Sequence, residues 1–351
     1  MGHPYDEKVQ RFLQNLSYVP EDVAVIGLIL GSLGSASALL GNILIIMTFL
    51  TDRHLRQRQN VFVVSAAIME IILTFLKDAI ALGVYGVGRW QFGVTMMYVY
   101  RVIFICKNTF SIGHVVALTI YRYVLIVYPN VYRILSKTAV IVITLIVVIS
   151  FPICTSVIRL PHNLFFNTKA MYCLSEEGLG IYNGTLIKEA VRSETTPAFF
   201  YISVNAIILI VCNMHIYLYI KTSSNRVAVN NRSHNVDQTT TGPTSHGALC
   251  RRNTRREAKF MKIMTIVFGT FVISYYLMPL FMIIDKDWKL SHWVYLPLVM
   301  MNWFSSSVNW IIFSISHSGF RNAARKMLRC PAKMNVREIN CFQRSQTSDS
   351  C

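Results

Sequence analysis

Seven long apolar runs, separated by shorter polar segments, dominate the pattern of hydrophobic positions along the chain. An α-helix needs about 20 apolar residues to cross a bilayer, and each run is close to or above that length. The pattern therefore predicts an all-α membrane protein with a seven-transmembrane helix bundle. We number the predicted spans 1 to 7, and they cover residues 23–50, 60–87, 94–127, 137–159, 196–221, 257–284 and 291–315.

A shorter amphipathic pattern follows span 7, at residues 316–330. On a helix, its apolar and basic residues would fall on opposite sides, namely Phe320, Ala323, Ala324, Met327 and Leu328 against Arg321, Arg325, Lys326 and Arg329. This predicts a helix on the membrane surface. Cys330 is a candidate for palmitoylation, with an idle cytosolic thiol as the alternative. The polar segment 222–256 is predicted to be a flexible loop and residues 331–351 a disordered tail.

Charge changes the picture by giving the bundle an orientation. Hydrophobic residues make up 53% of the 351 residues, and the formal charge is +17, which would also suit a nucleic-acid-binding surface. However, segments 51–59, 128–137, 221–262 and 316–351 hold 21 Lys/Arg and 5 Asp/Glu, whereas the segments at the opposite ends of the spans hold 9 and 10. Since positive residues concentrate on the cytoplasmic side, we predict a cytoplasmic C-terminus and no nucleic-acid partner.

The same orientation predicts an extracellular N-terminus at residues 1–22. This segment has no early apolar region that would form a cleavable signal, so we expect span 1 to act as the insertion signal. Two sequons, at Asn15 and Asn183, fall on the extracellular side and are candidates for glycosylation, whereas the sequon at Asn231 falls on the cytoplasmic side.

Short motifs then occur along the spans in a fixed order. They are Gly41-Asn42 in span 1, NVFVVSAAIME at the start of span 2, Tyr121-Arg122-Tyr123 at the end of span 3 with Tyr128-Pro129 directly after it, Pro279 in span 6, Asn309 in span 7, and Phe320-Arg321 in the amphipathic segment. As an ordered set they resemble the rhodopsin-like (class A) G-protein-coupled receptors over nearly all of residues 23–330. Within that family the pattern is most similar to melatonin receptors and related orphan receptors.

The resemblance implies a plasma-membrane receptor that transmits an extracellular signal to a heterotrimeric G protein. Arg122 would face the cavity that the G protein enters, and an arginine that only anchors the helix at the interface is the alternative. In the family an acidic residue precedes this arginine, and some members place a second acid at the inner end of span 6. Here those positions hold Tyr121 and Lys259, which predicts high signalling without ligand.

The movement that carries the signal is expected in span 6. A proline inside a helix removes a hydrogen bond and kinks it, so Pro279 retains the pivot of the family, whereas Leu277 replaces its tryptophan. Span 7 reads Asn309-Trp310-Ile311-Ile312-Phe313 in place of Asn-Pro-x-x-Tyr. The candidate coupling and switch residues are therefore Tyr121, Arg122, Tyr123, Pro279, Asn309 and Phe313.

The family also has a polar core that binds sodium between spans 2, 3 and 7. The equivalent residues are Asn42, Glu70, Lys107, Ser111, Ser305, Ser306 and Asn309, with Glu70 in place of the usual aspartate. A buried lysine needs a partner, so we expect Lys107 to pair with Glu70 and to replace the sodium ion. The alternatives are a pair with Asp78 or a side chain that reaches the interface.

Several ligand classes lack their family signatures. Span 7 has no lysine for a retinal Schiff base, Phe104 stands where amine receptors have aspartate, and Tyr201 stands where melatonin receptors have histidine. Cations and aromatic residues in the outer halves favour an anionic ligand or a peptide. The candidate pocket residues are Lys77, Tyr100, Arg101, Phe104, Asn108, Tyr201 and Leu277. For Arg101 and Arg159, anchoring at the interface is the alternative.

The disulfide that the family forms between span 3 and the second extracellular loop is not expected. The span 3 position is Met97, and Cys106 lies about 13 Å further along a helix, beyond the ~7 Å that a disulfide spans without backbone movement. The loop cysteine, Cys173, would then keep its thiol, and the loop would be more mobile.

Two other functions were considered. A seven-span transporter or channel is the alternative, although the chain shows no internal repeat of the kind that transporters often have. An enzyme is not predicted, because the sequence has no nucleophile–base motif and no metal-ligand spacing. No cofactor and no metal are expected.

Overall fold

The computed structural model describes residues 7–52, 55, 61–135, 137–158, 164–175, 181–182, 185–186, 195–234, 269, 273, 275–285, 288–316 and 318–329. A helix overlaps each predicted span: Glu21–Thr51, Val61–Val87, Gly93–Val127, Thr138–Ile158, Thr195–His234, Tyr275–Ile284 and His292–Ser316. The predictions made for Arg159, Asn183, Lys259, Cys330 and residues 331–351 fall outside the described residues.

Within the described residues, three helices are long and apolar enough to cross a membrane, by length and composition alone. They are Glu21–Thr51, Gly93–Val127 and, within span 5, Phe200–Tyr219. The span 2 helix is of similar length but holds Glu70, Lys77 and Asp78, which are all buried. Its charges therefore face the bundle interior, as intramembrane charges generally do.

Spans 1, 2 and 7 pack closely because glycines of span 1 face aromatic rings. A Cβ atom added at Gly31 would lie 1.6 Å from the Trp303 ring, and one added at Gly41 would lie 1.9 Å from the Trp310 ring. Only a residue without a side chain allows these two rings of span 7 to approach the backbone of span 1. Small residues at helix interfaces serve this purpose in membranes, where apolar burial against lipid gives little driving force.

The span 5 helix extends further than the sequence pattern predicted. It continues to His234, whereas the apolar run ends at residue 221 and the prediction placed a flexible loop from 222. Once a helix is formed, each added residue gains one hydrogen bond without a new nucleation step. A polar segment can therefore continue a helix beyond the membrane, and hydropathy alone does not detect this end.

Two short helices lie at the end of the bundle that the charge pattern predicts to be cytoplasmic. Pro129–Leu135 connects spans 3 and 4 and begins with a proline, which suits the first turn of a helix because its missing N–H has no partner there. Ser318–Arg329 follows span 7. Its Phe320 and Ala324 are buried in a cluster with Ile45, Phe49 and Val63 of spans 1 and 2, so its apolar face packs on the bundle.

At the opposite end of the bundle, which is predicted to be extracellular, the chain forms a helix and two hairpins. The helix Glu7–Ser17 precedes span 1. Strand β1 (Leu164–Asn167) pairs antiparallel with β2 (Tyr172–Ser175), with Phe166 opposite Cys173. Strands β3 (Ile181–Tyr182) and β4 (Thr185–Leu186) form a second, shorter hairpin. None of these elements was predicted from the sequence.

Candidate functional site

The tyrosine that precedes Arg122 contacts aromatic rings of neighbouring helices at the C-terminal end of span 3. Tyr121 is buried, and its ring lies 5.3 Å from that of Phe62 and 5.2 Å from that of Tyr132. The hydroxyl of Tyr121 lies 3.3 Å from that of Tyr132, in the helix after span 3. Where the family has an acidic residue, this chain therefore has an aromatic contact, and Arg122 beside it is half-buried.

Tyr123 contacts span 5 instead. Its hydroxyl lies 2.8 Å from Nδ1 of His215, and the apolar part of its ring packs against the fully buried Ile216. Tyr121 and Tyr123 thus face different neighbours, because side chains two positions apart point to different sides of a helix. This link between spans 3 and 5 was not predicted, because a histidine in an otherwise apolar span carries no partner information in the sequence.

The remaining switch candidates lie in spans 6 and 7. Pro279 is half-buried within the helix Tyr275–Ile284. Asn309 and Phe313 belong to the helix His292–Ser316, and their side chains are outside the described part of the structure. Their roles stay predictions.

The polar core brings together most of the residues that were predicted for it. Ser111 donates a short hydrogen bond to Glu70, and Thr74 lies 3.4 Å from both Glu70 and Ser306. The hydroxyl of Tyr275 lies 3.1 Å from Ser305 Oγ. A further contact runs from Asn42 Nδ2 to the Ser306 carbonyl at 3.4 Å. All of these side chains are buried, so spans 1, 2, 3, 6 and 7 meet in one hydroxyl-rich region.

The expected ion pair between Glu70 and Lys107 is not formed, and that expectation is corrected. Both residues are described and buried, yet no contact within 4 Å joins their charged groups. Glu70 is instead satisfied by hydroxyl donors. The Lys107 ammonium has no hydrogen-bond partner in the described structure, although it interacts electrostatically with Tyr275, Glu70, Asp78 and Lys77. It contributes a positive charge to the core without closing a salt bridge.

A positive charge at this place is expected to make the protein indifferent to sodium. In the purified protein, the thermal midpoint should be equal in sodium chloride and choline chloride at one ionic strength. Lys107→Met should create a sodium-dependent increase, because Glu70 and its hydroxyl neighbours would then need a cation. Lys107→Arg, which keeps the charge, serves as the matched control. A sodium-dependent midpoint in the wild type would contradict this prediction.

A second buried charged group, formed by Lys77, Asp78 and Ser35, lies in the outer half of the core. Lys77 Nζ lies 2.9 Å from Asp78 Oδ1, and Ser35 Oγ donates to Asp78 Oδ2 at 2.6 Å. At this distance the opposite charges of Lys77 and Asp78 form a buried salt bridge. The ammonium also lies 5.2 Å from the centre of the Trp303 ring. Lys77 therefore has its counter-charge within the bundle.

Arg101 and Tyr100 hold the loop between spans 4 and 5, which the charge pattern predicts to be the second extracellular loop. Arg101 Nη1 donates to the Cys173 carbonyl at 2.7 Å and lies over the Tyr172 ring at 5.6 Å. The Tyr100 hydroxyl donates to the Met171 carbonyl at 2.9 Å. Arg101, a candidate pocket residue, is therefore engaged with the Cys173 carbonyl and the Tyr172 ring, and its contact with a ligand stays a prediction. The same contacts replace a covalent link, for Cys106 and Cys173 both carry thiols.

Other pocket candidates line the space below this loop. The rings of Phe104 and Tyr172 are 4.6 Å apart, and Asn302 Nδ2 donates to Asn108 Oδ1 at 3.4 Å. Tyr201 turns towards span 3, where its hydroxyl donates to the Thr109 carbonyl at 3.4 Å. Leu277 packs against an apolar cluster that contains Trp288 and Tyr295.

The core residues that the sequence reading missed have few signals in the sequence. Thr74, Ser35 and Trp303 carry no charge and match no motif, so only their contacts identify them. Tyr275 is different, because it precedes the motif Tyr276-Leu277-Met278-Pro279 and its position on span 6 could have been considered. Within the described residues, no three His, Cys, Asp or Glu side chains are grouped as metal ligands.

Comparison with known proteins places this geometry in a family. The sequence profile described as 7 transmembrane receptor (rhodopsin family) matches residues 41–313. The Alpha-1A adrenergic receptor of Bos taurus is 23% identical, over 92% of this chain and 70% of its own length. Protein trapped in endoderm-1 of Drosophila melanogaster is also 23% identical, over 82% of this chain and 73% of its own length.

Two further comparisons define the extent of the likeness. The Alpha-1D adrenergic receptor of Sus scrofa is 23% identical over 84% of this chain, which spans 54% of that receptor's length. Among solved structures, the crystal structure of squid rhodopsin superposes with a TM-score of 0.73, at 16% identity, covering 95% of this chain and 93% of that one. At this level of identity, the likeness to squid rhodopsin shows the fold alone.

Proposed function

The chain belongs to the rhodopsin family of seven-transmembrane receptors, and we propose that it passes an extracellular signal to a heterotrimeric G protein. The observation that carries this proposal is the position of Arg122. It is half-buried at the cytoplasmic end of span 3, beside a tyrosine that contacts the next helix and another that contacts span 5. A protein that binds there would sense the relative positions of these helices.

The proposed mechanism involves two packings of the bundle and no bond chemistry. A ligand changes their populations only by binding one packing better than the other. Span 6 would swing outward about Pro279 and open the cavity at Arg122. The hydrogen bonds of span 6 that would report the change are Tyr275 to Ser305 and Tyr276 to Ser203, at 3.1 Å and 2.8 Å.

The chain is a multi-pass membrane protein, and we propose the plasma membrane with the N-terminus outside. The excess of basic residues in the segments given above supports this orientation. Asn15 is exposed on the helix Glu7–Ser17 and is accessible for glycosylation in that topology.

For the ligand, we propose an anion or a peptide. Lys77 and Arg101 are occupied, but the Lys107 ammonium is buried without a hydrogen-bond partner, at a place where a buried charge is costly. An acidic group reaching Lys107 would satisfy it. The closer resemblance to melatonin receptors stays a prediction from the motifs.

A transporter or channel is the second candidate function, because Glu70, Lys77, Asp78 and Lys107 place four charges inside the bundle. The test is to measure guanine-nucleotide exchange and ion flux on the same vesicles containing the full chain. We expect ligand-free exchange above that of empty vesicles, because Tyr121 supplies no acidic restraint, and no ion flux above background. Flux without exchange for any G-protein class would overturn the receptor proposal.

A further inference from the structure

Three segments of the chain contact one another over the extracellular end of the bundle. They are the helix Glu7–Ser17, the β1–β2 hairpin, and residues 288–290 between spans 6 and 7. We call these three segments the lid. The lid contacts the outer ends of spans 6 and 7 and, on its other side, span 3.

The N-terminal helix is fixed to the hairpin by Thr168, which is buried. The Thr168 N–H donates to the Leu16 carbonyl at 2.9 Å, and its Oγ1 lies 2.8 Å from the same carbonyl and 3.1 Å from that of Tyr18. Val9 and Leu16 insert into an apolar cluster that also contains Leu174 of the hairpin. Because Val9 is 0% exposed, the helix fills a site on the receptor.

The same cluster reaches the transmembrane helices. Its other buried members include Met282 of span 6, Trp288 after span 6, and Tyr295 and Leu298 of span 7. The apolar face of the N-terminal helix is therefore buried against the outer ends of spans 6 and 7. A relative movement of these spans would expose part of the cluster to water, which is unfavourable.

Polar contacts also link the hairpin to residues 288–290 and, through them, to the end of span 6. Lys169 Nζ donates to the carbonyls of Trp288 and Leu290, at 2.5 Å and 2.7 Å. Burial lowers the pKa of Lys169, and the charge of Asp285 opposes this shift. Asp285, at the end of span 6, accepts the Leu290 N–H at 3.0 Å. Residues 288–290 are thus tied to the hairpin on one side and to span 6 on the other.

On its opposite side the hairpin is tied to span 3. Arg101 and Tyr100 donate to its carbonyls, as described above. The lid consequently bridges span 3 and the outer end of span 6, the two elements whose separation the proposed mechanism requires. At the inner end, Tyr121 provides no acidic partner that would hold Arg122.

We propose that residues 7–17 are a tethered peptide ligand that stabilises the resting packing by completing the lid, so that this receptor is restrained from its extracellular end. This inference rests on the proposed receptor function. An external agonist would then act by displacing the N-terminal helix or by weakening its hold on the hairpin.

The first test compares two substitutions in the full-length receptor. Val9→Asp places a charge in the buried cluster, whereas Gln10→Asp places the same charge on the exposed side of the helix. Ligand-free nucleotide exchange should increase at least about threefold for Val9→Asp, because an unpaired charge is not tolerated in an apolar cluster. Gln10→Asp should match the wild type. Equal rates for both variants at equal surface expression would overturn the proposal.

The second test closes the lid instead of opening it. The Thr168 N–H donates to the Leu16 carbonyl at 2.9 Å, so the two backbones lie side by side. We therefore expect Leu16→Cys combined with Thr168→Cys to form a disulfide, which mass spectrometry can verify. Oxidised, this variant should lose most ligand-free exchange, and reduction should restore it. Exchange that stays at the wild-type rate in the oxidised form would overturn the proposal.

A third measurement separates this proposal from the receptor function itself. If neither the wild type nor any variant stimulates exchange, the proposed function fails. Hydrogen exchange at residues 275–290 still reports the lid: it should be faster in Val9→Asp than in Gln10→Asp, because span 6 loses its outer restraint. Equal protection in the two variants would overturn the lid proposal, whatever the coupling result.

Discussion

Arg122→Ala should abolish G-protein activation while the receptor still reaches the cell surface. Arg122 is half-buried at the end of span 3, between Tyr121 and Tyr123, which are each engaged with other helices. Its neighbours therefore hold the helix end in place without it. We expect nucleotide exchange to fall at least about tenfold, equivalent to ~1.4 kcal/mol of binding or barrier energy, and surface antibody staining to remain near the wild-type level.

Arg325→Ala is the control for this substitution. Arg325 is exposed on the helix Ser318–Arg329, so the variant removes the same charge from the same side of the membrane. It should retain most of the exchange activity. If Arg122→Ala activates the G protein normally, Arg122 only anchors span 3 at the interface, and its position no longer supports the proposed function.

Asp78→Asn should cause the largest loss of stability among single substitutions in the polar core. Asp78 lies 2.9 Å from the Lys77 ammonium and accepts a hydrogen bond from Ser35, and all three side chains are buried. Removing one member of a buried pair leaves an uncompensated charge, at a cost of about 3–5 kcal/mol. The thermal midpoint of the purified receptor should therefore decrease by roughly 5 °C or more.

Two controls accompany this measurement. The double variant Lys77→Met with Asp78→Leu removes both charges and should recover most of the lost stability, since apolar replacement of a buried pair is often neutral. Glu21→Gln removes a charge from an exposed position at the start of span 1 and should change the midpoint little. A double variant as unstable as Asp78→Asn would show that packing, and not the unpaired charge, causes the loss.

The predicted bundle follows from properties that lie along the chain. A single run of about twenty apolar residues can satisfy its backbone groups in a bilayer as a helix. The positions of spans 1 to 7 can therefore be predicted from the sequence without any tertiary information. The amphipathic helix after span 7 is legible for a related reason, since the alternation of Phe320 and Ala324 with Arg321 and Arg325 has the helical period. The family matched by residues 41–313 agrees with this reading.

The N-terminal helix had a comparable signal that was overlooked. Val9, Phe12, Leu13 and Leu16 follow the i, i+3, i+4, i+7 spacing of an amphipathic helix, and two of them are buried. The segment is short and polar on average, so hydropathy over a membrane-length window does not reveal it. Its binding surface, which the hairpin and the ends of spans 6 and 7 provide together, comes from distant parts of the chain.

The sequence by itself predicted which segments cross the membrane and showed that several of their residues carry charge. It did not determine the partners of these charges, because Lys77 shares span 2 with Glu70 and Asp78, Lys107 lies in span 3, which packs against span 2, and the sequence does not show which lysine reaches which acid. The tertiary structure decided that Lys77 pairs with Asp78, that Glu70 takes hydroxyl donors, and that Arg101 holds the second loop. Helix rotation and loop path fix such choices, and neither is written in the periodicity of a single span.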